Sequence, residues 1–190
     1  MDKEEATRRL FKAAETDDVA AARAAIEAGA DINFKDVNTE DRYTPLHRAV
    51  RQNSLGVLRL LLERKANVNA VDVGGSTPLH KARTLDAVQL LIAGGADVDA
   101  QNNGGSTLLH LAAYGGRFDL ARLLVQNGAD LDIKSRSKDT PWDALLSYSS
   151  RLLSKADVVH LLEKALKRQE GHAGRVTEER KDKGPPQVGG

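Results

Sequence analysis

Three histidines recur along the chain at regular intervals, and they are the first residues whose type and spacing could support chemistry. His47, His80 and His110 lie 33 and 30 residues apart, each three positions after a threonine. Imidazole binds zinc and acts as a general base near neutral pH. Residues at matching points of successive helical units cannot converge, because packed helices lie roughly 8–10 Å apart and zinc ligands must reach within about 2.1 Å of the metal. We therefore expect no metal site, and we expect each imidazole to hydrogen-bond backbone between units.

Serines and glycines beside these histidines offer no better catalytic arrangement. The Gly-Gly pairs at 74–75 and 104–105 lack the Lys-Ser/Thr that follows a phosphate-cradling loop, and they suit tight turns with positive φ. Ser76 and Ser106 have no base placed by the sequence, and the acidic residues are scattered singly. The sequence thus predicts no catalytic residues, no cofactor and no enzyme activity.

The histidines belong to a tetrad that sets the organisation of the chain. The tetrad begins at positions 44, 77, 107 and 140, and it reads Thr44-Pro45-Leu46-His47, Thr77-Pro78-Leu79-His80, Thr107-Leu108-Leu109-His110 and a degraded Thr140-Pro141-Trp142-Asp143. A second motif keeps the same period: Gly29-Ala30-Asp31, Lys65-Ala66-Asn67, Gly95-Ala96-Asp97 and Gly128-Ala129-Asp130. A fixed period of this length indicates a stacked repeat array. Threonine is a preferred N-cap and proline a preferred first helical residue, so each tetrad should start a helix.

These motifs resemble the ankyrin repeat over roughly residues 5–167, including the exits Ala-Asn-Val-Asn-Ala at 66–70 and Ala-Asp-Val-Asp-Ala at 96–100. The resemblance implies an all-α repeat solenoid, an ankyrin-type stack of helix–turn–helix units with short β-hairpin loops. About five repeats should occupy residues 1–167, with degenerate first and last caps. Residues 168–190 hold almost nothing apolar and are expected to form a disordered tail, either purely solvating or carrying a second binding motif.

Two repeats depart from the regular length. The linker at 36–43 is three residues longer than its counterpart in the next repeat, which predicts an extended hairpin tip. The third repeat is three residues shorter between Ala82 and Val88, where its first helix turns into its second. We expect both helices to be trimmed there, or one turn to be lost. The second helix of the last repeat is expected at 155–167.

Composition excludes several classes of protein and of site. The chain has no cysteine, so disulfides and thiolate metal sites are absent, and its net charge of +1 gives no general attraction to nucleic acid or anionic membranes. No apolar run approaches ~18–20 residues, and the first residues lack the apolar segment of a signal peptide. We expect a cytoplasmic or nuclear monomer that binds neither nucleic acid nor membrane, although a secreted effector without a signal peptide would look the same.

The resemblance places partner-facing positions on the concave side, after each tetrad histidine and at the hairpin tips. On the helices these are Arg48, Arg51, Gln52, Lys81, Arg83, Leu111, Tyr114 and Tyr148, and in the hairpins Tyr43, Val73, Ser76, Ser106, Arg136 and Lys138. The helix positions are basic in repeats two and three and apolar or aromatic in repeats four and five. They favour a partner protein with an acidic or phosphorylated segment, although Asp36, Glu40 and Asp41 are expected to neutralise part of the basic strip.

The resulting prediction is a non-enzymatic protein-interaction module, acting as a scaffold or adaptor. The alternatives are an inhibitor or regulatory subunit that occludes an enzyme, and a secreted effector that uses the same surface. Exit asparagines of ankyrin repeats also resemble substrates of a cellular asparagine hydroxylase, and Asn69 has Leu61 eight residues upstream. Asn69 is therefore either a hydroxylation site or a residue that only closes the hairpin. Trp142 occupies the leucine position of its tetrad, which predicts core packing rather than ligand stacking.

Overall fold

A computed structural model describes residues 2–37 and 40–152 of the chain. Its helices are α1 (Lys3–Thr16), α2 (Val19–Glu27), α3 (Pro45–Gln52), α4 (Leu55–Glu63), α5 (Pro78–Lys81), α6 (Leu85–Ala93), α7 (Leu108–Tyr114), α8 (Phe118–Gln126) and α9 (Pro141–Leu152). Within these residues there is no strand, and no helix is long and apolar enough to cross a membrane. The predicted all-α repeat stack is confirmed. The helix expected at 155–167 and the tail at 168–190 lie outside the described residues.

Each tetrad starts a helix because its first and fourth residues cap one another. The Thr44 hydroxyl accepts a hydrogen bond from the His47 backbone N–H, while the Thr44 N–H donates to the His47 imidazole. This is a capping box with histidine in place of the usual Glu or Gln. The degraded tetrad keeps it, since the Thr140 N–H donates to the Asp143 carboxylate at 2.9 Å and the Asp143 N–H returns a bond of 3.1 Å.

The core runs continuously through the stack between the two rows of helices. The first helices contribute Leu46, Leu79 and Leu109, and the second helices contribute Leu58, Leu61, Val88, Leu91, Leu120 and Leu124, all almost completely buried. Burying one such side chain contributes about 1.5–3 kcal/mol. Trp142 is half-buried and packs against this core, as its position in the tetrad predicts.

Backbone hydrogen bonds tie each hairpin loop to the one before it, although no loop forms a regular strand in the described residues. The linking N–H···O bonds are Val73 to Asp41 at 3.1 Å, Asn103 to Gly74 at 2.9 Å and Arg136 to Gly104 at 2.9 Å. Gly75 and Gly105, both with φ of 72°, allow this close approach. A Cβ on Gly105 would lie only 2.8 Å from the Arg136 backbone nitrogen.

The third repeat takes its whole deletion in the first helix. Helix α5 has 4 residues, against 8 in α3 and 7 in α7. Helix α6 keeps the 9 residues of α4 and α8. The backbone leaves α5 at Ala82 in an extended conformation, with ψ of 131°. Of the two expectations, the loss of one turn is confirmed and the trimming of both helices is wrong, because Thr84 caps α6 at its full length.

Candidate functional site

The three histidines form a structural ladder that joins neighbouring repeats. Their Nε2 atoms donate to backbone carbonyls of the next hairpin: His47 to Ser76 at 3.0 Å, His80 to Ser106 at 3.0 Å and His110 to Asp139 at 3.1 Å. Their Nδ1 atoms accept the N–H of the tetrad threonines, which fixes the neutral tautomer. Burial lowers the pKa of His47 and His80. The predicted structural role is confirmed, and no potential metal-binding group of three side chains occurs within the described part of the chain.

Tyr43 is buried rather than exposed, which corrects the expectation that it stands at the hairpin surface. Only 4% of the residue is accessible, because its ring stacks on the His47 imidazole with centroids 5.5 Å apart. Three cations surround that ring: the guanidinium carbons of Arg48 and Arg51 at 5.7 and 5.6 Å from its centroid, and the Lys81 Nζ at 5.5 Å. Cations this close to an aromatic face are attracted by its quadrupole. Tyr43 therefore positions the basic residues of two repeats.

Carboxylates from other parts of the stack pair with each of these three cations. Arg48 Nε lies 3.5 Å from Glu15, and Arg51 Nη1 lies 3.6 Å from Asp41, so the neutralisation expected from the long tip is confirmed for Asp41. The Arg48 side chain is only 17% exposed, so it offers little surface to a partner. The Arg51 side chain keeps 45% of its area exposed. Arg51 is consequently the most accessible of the three arginine and lysine side chains around Tyr43.

The third pair joins Lys81 to a buried aspartate. Lys81 Nζ lies 2.7 Å from Asp72, whose side chain is 2% exposed and also accepts the Ser76 N–H at 2.8 Å. Burial alone would raise the pKa of the Asp72 carboxyl, but the hydrogen bonds from Lys81 and Ser76 outweigh it and lower that pKa. Burial likewise opposes the Lys81 charge, and the bond to Asp72 outweighs it and raises the pKa of Lys81. Both groups are therefore charged near neutral pH, and Lys81 is held in one place.

A cavity of about 430 Å³ lies beside this cluster, at the end of the short helix α5. We call it the notch and define it by its charged lining residues Asp41, Arg51, Lys81, Arg83 and Arg117. Arg117 follows α7 and was not predicted from the sequence, because it lies outside the partner-facing positions implied by the resemblance. The deletion in the third repeat was the available signal, since a shortened helix exposes the residues of its neighbours.

The remaining predicted contact residues fall into three groups. Exposed side chains belong to Gln52, Val73, Leu111, Tyr114, Arg136 and Lys138. Ser76 is buried and Ser106 is half-buried, because their carbonyls accept the histidine ladder. Tyr148 lies in α9, and its side chain is outside the described part of the structure. Whether any of these residues contacts a partner stays a prediction.

Asn69 joins the exits of two repeats. Its Oδ1 accepts the Asp97 N–H at 2.9 Å, and its Nδ2 donates to the Gly95 carbonyl at 3.3 Å. Matching bonds run from Asn67 N–H to the Asn33 side chain and from Asp130 N–H to the Asp99 side chain, each 2.8 Å long. Asn69 thus closes the stack as its neighbours do, and its hydroxylation stays a prediction.

A larger cavity of about 550 Å³ lies at the first repeat, away from the basic cluster. Phe11 and Phe34 line it in an edge-to-face contact with centroids 6.4 Å apart. Two of its charges, Lys3 and Asp31, form an ion pair of 3.5 Å. The notch is the better candidate for recognition, because its cations outnumber its carboxylates.

Comparisons with known proteins agree with the repeat architecture. Sequence models of ankyrin repeats match residues 32–82 and 70–135. The mouse (Mus musculus) B-cell lymphoma 3 protein homolog is 42% identical over 116 residues, which are 61% of this chain and 19% of that protein. The human (Homo sapiens) Arf-GAP with coiled-coil, ANK repeat and PH domain-containing protein 2 is 38% identical over 77 residues, 40% of this chain and 10% of that protein. Serine/threonine-protein kinase 12 of Arabidopsis thaliana is 40% identical over 74 residues, 39% of this chain and 16% of that protein. The chain therefore spans less than a fifth of the length of each relative.

Proposed function

Because the chain belongs to the ankyrin repeat family, whose repeats are generally protein–protein interaction modules, we propose that it is a non-enzymatic scaffold or adaptor. It binds its partner on the first-helix face, which we define as α3, α5 and α7 with the hairpin loops that precede them. We take it to act as a monomer in the cytoplasm or nucleus. The stack itself supplies a rigid frame, since every repeat is fixed by its neighbours.

The observation that carries this proposal is the set of side chains that the first-helix face leaves open. Arg51 and Arg83 are exposed beside the Tyr43 cluster, and Leu111 and Tyr114 on α7 remain 38% and 47% exposed. Arginine and tyrosine are enriched among residues that anchor interfaces, because they combine contact area with directional hydrogen bonds. Basic and apolar positions side by side favour a partner segment that carries both negative charge and an apolar residue.

The experiment is affinity purification with the full chain, followed by mass spectrometry, and then a charge reversal. Arg51→Glu with Arg83→Glu is the informative variant, because both side chains are exposed. Arg48→Glu is avoided, since the Arg48 side chain is largely covered and offers little surface to a partner. We expect the double variant to weaken the partner's affinity at least about tenfold, and we expect wild-type affinity to fall as salt rises.

Arg23→Glu with Arg59→Glu is the matched control. It makes the same charge change on α2 and α4, at exposed residues that have no ion pair within the described part of the chain. We expect this control to retain the partner. A partner whose affinity survives reversal of Arg51 and Arg83, or is indifferent to salt, would show that binding occurs elsewhere.

The same experiment separates an adaptor from an inhibitor. An adaptor must bridge two proteins, so two partners should be recovered together and should remain associated through the array. An inhibitor needs one partner, an enzyme whose activity falls when one equivalent of the array is added. Recovery of a single enzyme that the array inhibits would replace the scaffold proposal by the regulatory one.

A further inference from the structure

The notch is a site that the regular repeat does not have. In α3 and α7 the first helix continues for a further turn, whereas α5 stops at Lys81 and the backbone at Ala82 is extended. The cavity of about 430 Å³ borders this end of α5, where Lys81, Ala82 and Arg83 line it. Cavities that hold small ligands measure about 300–1,000 Å³. The notch is therefore large enough to receive a side chain from another molecule.

Two hydrogen bonds join the segment after the short helix α5 to the neighbouring repeats. The Arg117 guanidinium donates to the Arg83 carbonyl at 2.6 Å, and the Thr84 hydroxyl donates to the Asn53 side-chain oxygen at 2.6 Å. These bonds link the third repeat to the fourth and to the second. The bond from Arg117 also fixes its guanidinium on one wall of the cavity.

The charge of the notch fits a dianion. Its cations are Arg51, Lys81, Arg83 and Arg117, and the carboxylates that pair with them are Asp41 and Asp72. Among the described residues no carboxylate lies within 4.0 Å of the Arg83 or Arg117 guanidinium. The surplus is two positive charges. A phosphate monoester carries about −1.5 to −2 at pH 7, whereas a carboxylate carries only one negative charge.

Guanidinium groups also match the geometry of phosphate. Arginine presents its N–H donors as a planar fork that binds two phosphate oxygens at once, which lysine cannot copy. Three of the four cations in the notch are arginines, contributed by the second, third and fourth repeats.

We propose that the notch binds the phosphate group of a phosphorylated side chain of the partner protein, with Arg51, Arg83 and Arg117 as its ligands. This inference rests on the proposed function, because it names the feature by which the first-helix face recognises its partner. A phosphorylated protein segment is favoured over a phosphoinositide membrane. The chain has a net charge of only +1, which gives no general attraction to an anionic bilayer.

The direct test is an NMR titration of the full chain with N-acetyl-O-phosphoserine N-methylamide at pH 7.5. We expect it to shift the arginine Nε–H resonances of Arg51, Arg83 and Arg117, and to bind at least tenfold more tightly than N-acetyl-aspartate N-methylamide. Equal affinity for the two probes would overturn the proposal. So would binding of inorganic phosphate or sulfate without binding of the phosphoserine probe, or notch-dependent binding to phosphoinositide vesicles alone.

The variants Arg83→Gln and Arg117→Gln should each reduce affinity for the phosphoserine probe at least tenfold. Arg83→Lys should recover part of the loss, because it restores the charge without the fork. Arg59→Gln on α4 is the matched control and should bind as wild type does. Arg117→Gln loses the bond to the Arg83 carbonyl, so its thermal unfolding is measured beside its affinity. Since the Arg83 side chain donates no hydrogen bond in the described structure, Arg83→Gln tests the site without that change.

A captured partner separates this inference from the proposed function. We expect phosphatase treatment of the partner, and Arg117→Gln in the array, to weaken the complex at least tenfold. If neither has an effect while reversal of Arg51 and Arg83 still abolishes binding, the notch proposal fails and the protein-binding proposal stands. If reversal of Arg51 and Arg83 has no effect either, both fail.

Discussion

Replacing Lys65 by glycine should stabilise the array, because this lysine occupies a position that glycine fills in three other repeats. Gly29, Gly95 and Gly128 end their second helices with φ of 89–90°, and Lys65 does so with φ of 61°. The backbone bonds are the same, since the N–H of Lys65 donates to Leu62 at 3.0 Å just as that of Gly95 donates to Ile92 at 3.0 Å. The substitution Lys65→Gly therefore changes backbone preference and leaves the turn intact.

The expected gain follows from two opposing contributions. A residue with a Cβ in the left-handed region costs roughly 1–2 kcal/mol, and glycine removes that cost. Glycine also makes the unfolded chain more flexible, which costs about 0.5–1 kcal/mol. The Lys65 side chain is exposed and has no ion pair in the described structure, so little else is lost. The net stabilisation should be about 0.5–1 kcal/mol, or about 1–4 °C in Tm for a chain of this size.

Urea unfolding of three variants tests this reasoning. Lys65→Gly should raise the midpoint without changing the slope m, because the surface exposed on unfolding is the same. Lys65→Ala removes the same side chain but keeps a Cβ, so it should stay close to wild type. Gly95→Lys is the reverse change, and no atom lies within 4 Å of a Cβ built there. It should destabilise the array by about 1 kcal/mol through backbone strain alone.

Two results would refute the argument. If Lys65→Ala stabilises as much as Lys65→Gly, the gain comes from removing the lysine side chain and not from relieving φ. If Lys65→Gly destabilises, the Lys65 side chain makes a contribution that its exposure does not reveal. Either result would also argue against the view that Gly29, Gly95 and Gly128 are required because their backbone has a positive φ.

Three further predictions concern the stack. Burial lowers the pKa of His47 and His80 below the ordinary 6.5, so as the pH falls these histidines are protonated in the unfolded chain before they are protonated in the folded chain. Their contribution to the free energy of unfolding should therefore be complete above pH 6.5 and decline below it. A series of urea melts from pH 8 to 5 would show this decline. Because the short helix α5 offers less packing to its neighbours, hydrogen exchange should find less protection at residues 83–88 than at residues 112–124 of the fourth repeat. Equal protection in the two segments would contradict this expectation. Gly105→Ala should lower the free energy of unfolding in urea by about 2–3 kcal/mol, because the new Cβ would lie 2.8 Å from the Arg136 backbone nitrogen and the φ of 72° disfavours a side chain. A loss under about 1 kcal/mol would show that the two hairpin loops can move apart.

Local rules account for what the sequence predicted correctly. The tetrad identifies helix starts because capping depends on residues three apart, and that bonding survives in Thr140 and Asp143 although the histidine is lost. The repeat period explains the histidine ladder, since a nearly constant spacing places each imidazole at the same point of the next hairpin. The lost turn in the third repeat followed from counting residues between Ala82 and Val88. The sequence did not show that α6 would keep its full length, because that depends on a cap at Thr84.

Contacts outside the repeat motifs account for what the sequence missed. Arg48 was predicted as an open contact residue, but Glu15 of the first repeat lies beside it and most of its side chain is covered. Tyr43 precedes its tetrad at a hairpin tip, and only the packed structure shows that its ring stacks on His47. The first contact joins residues 33 positions apart and the second joins residues four positions apart, and neither pairing is encoded by a repeat motif.

The short helix of the third repeat has two consequences that pull in opposite directions. The stability of a repeat stack is approximately the sum of the stabilities of its repeats and of the interfaces between neighbouring repeats. Losing a turn of α5 therefore removes packing from the interfaces on both sides of the third repeat. Beside the shortened helix, the exposed Arg83 lies with Arg51 and Arg117 around the notch. Sites that need open space and concentrated like charge commonly cost stability. The hydrogen bonds of Arg117 and Thr84 across the gap offset part of that cost, and they do so with polar groups that leave the cavity open. If the notch binds the partner as proposed, the deletion in the third repeat is the feature that makes this array specific.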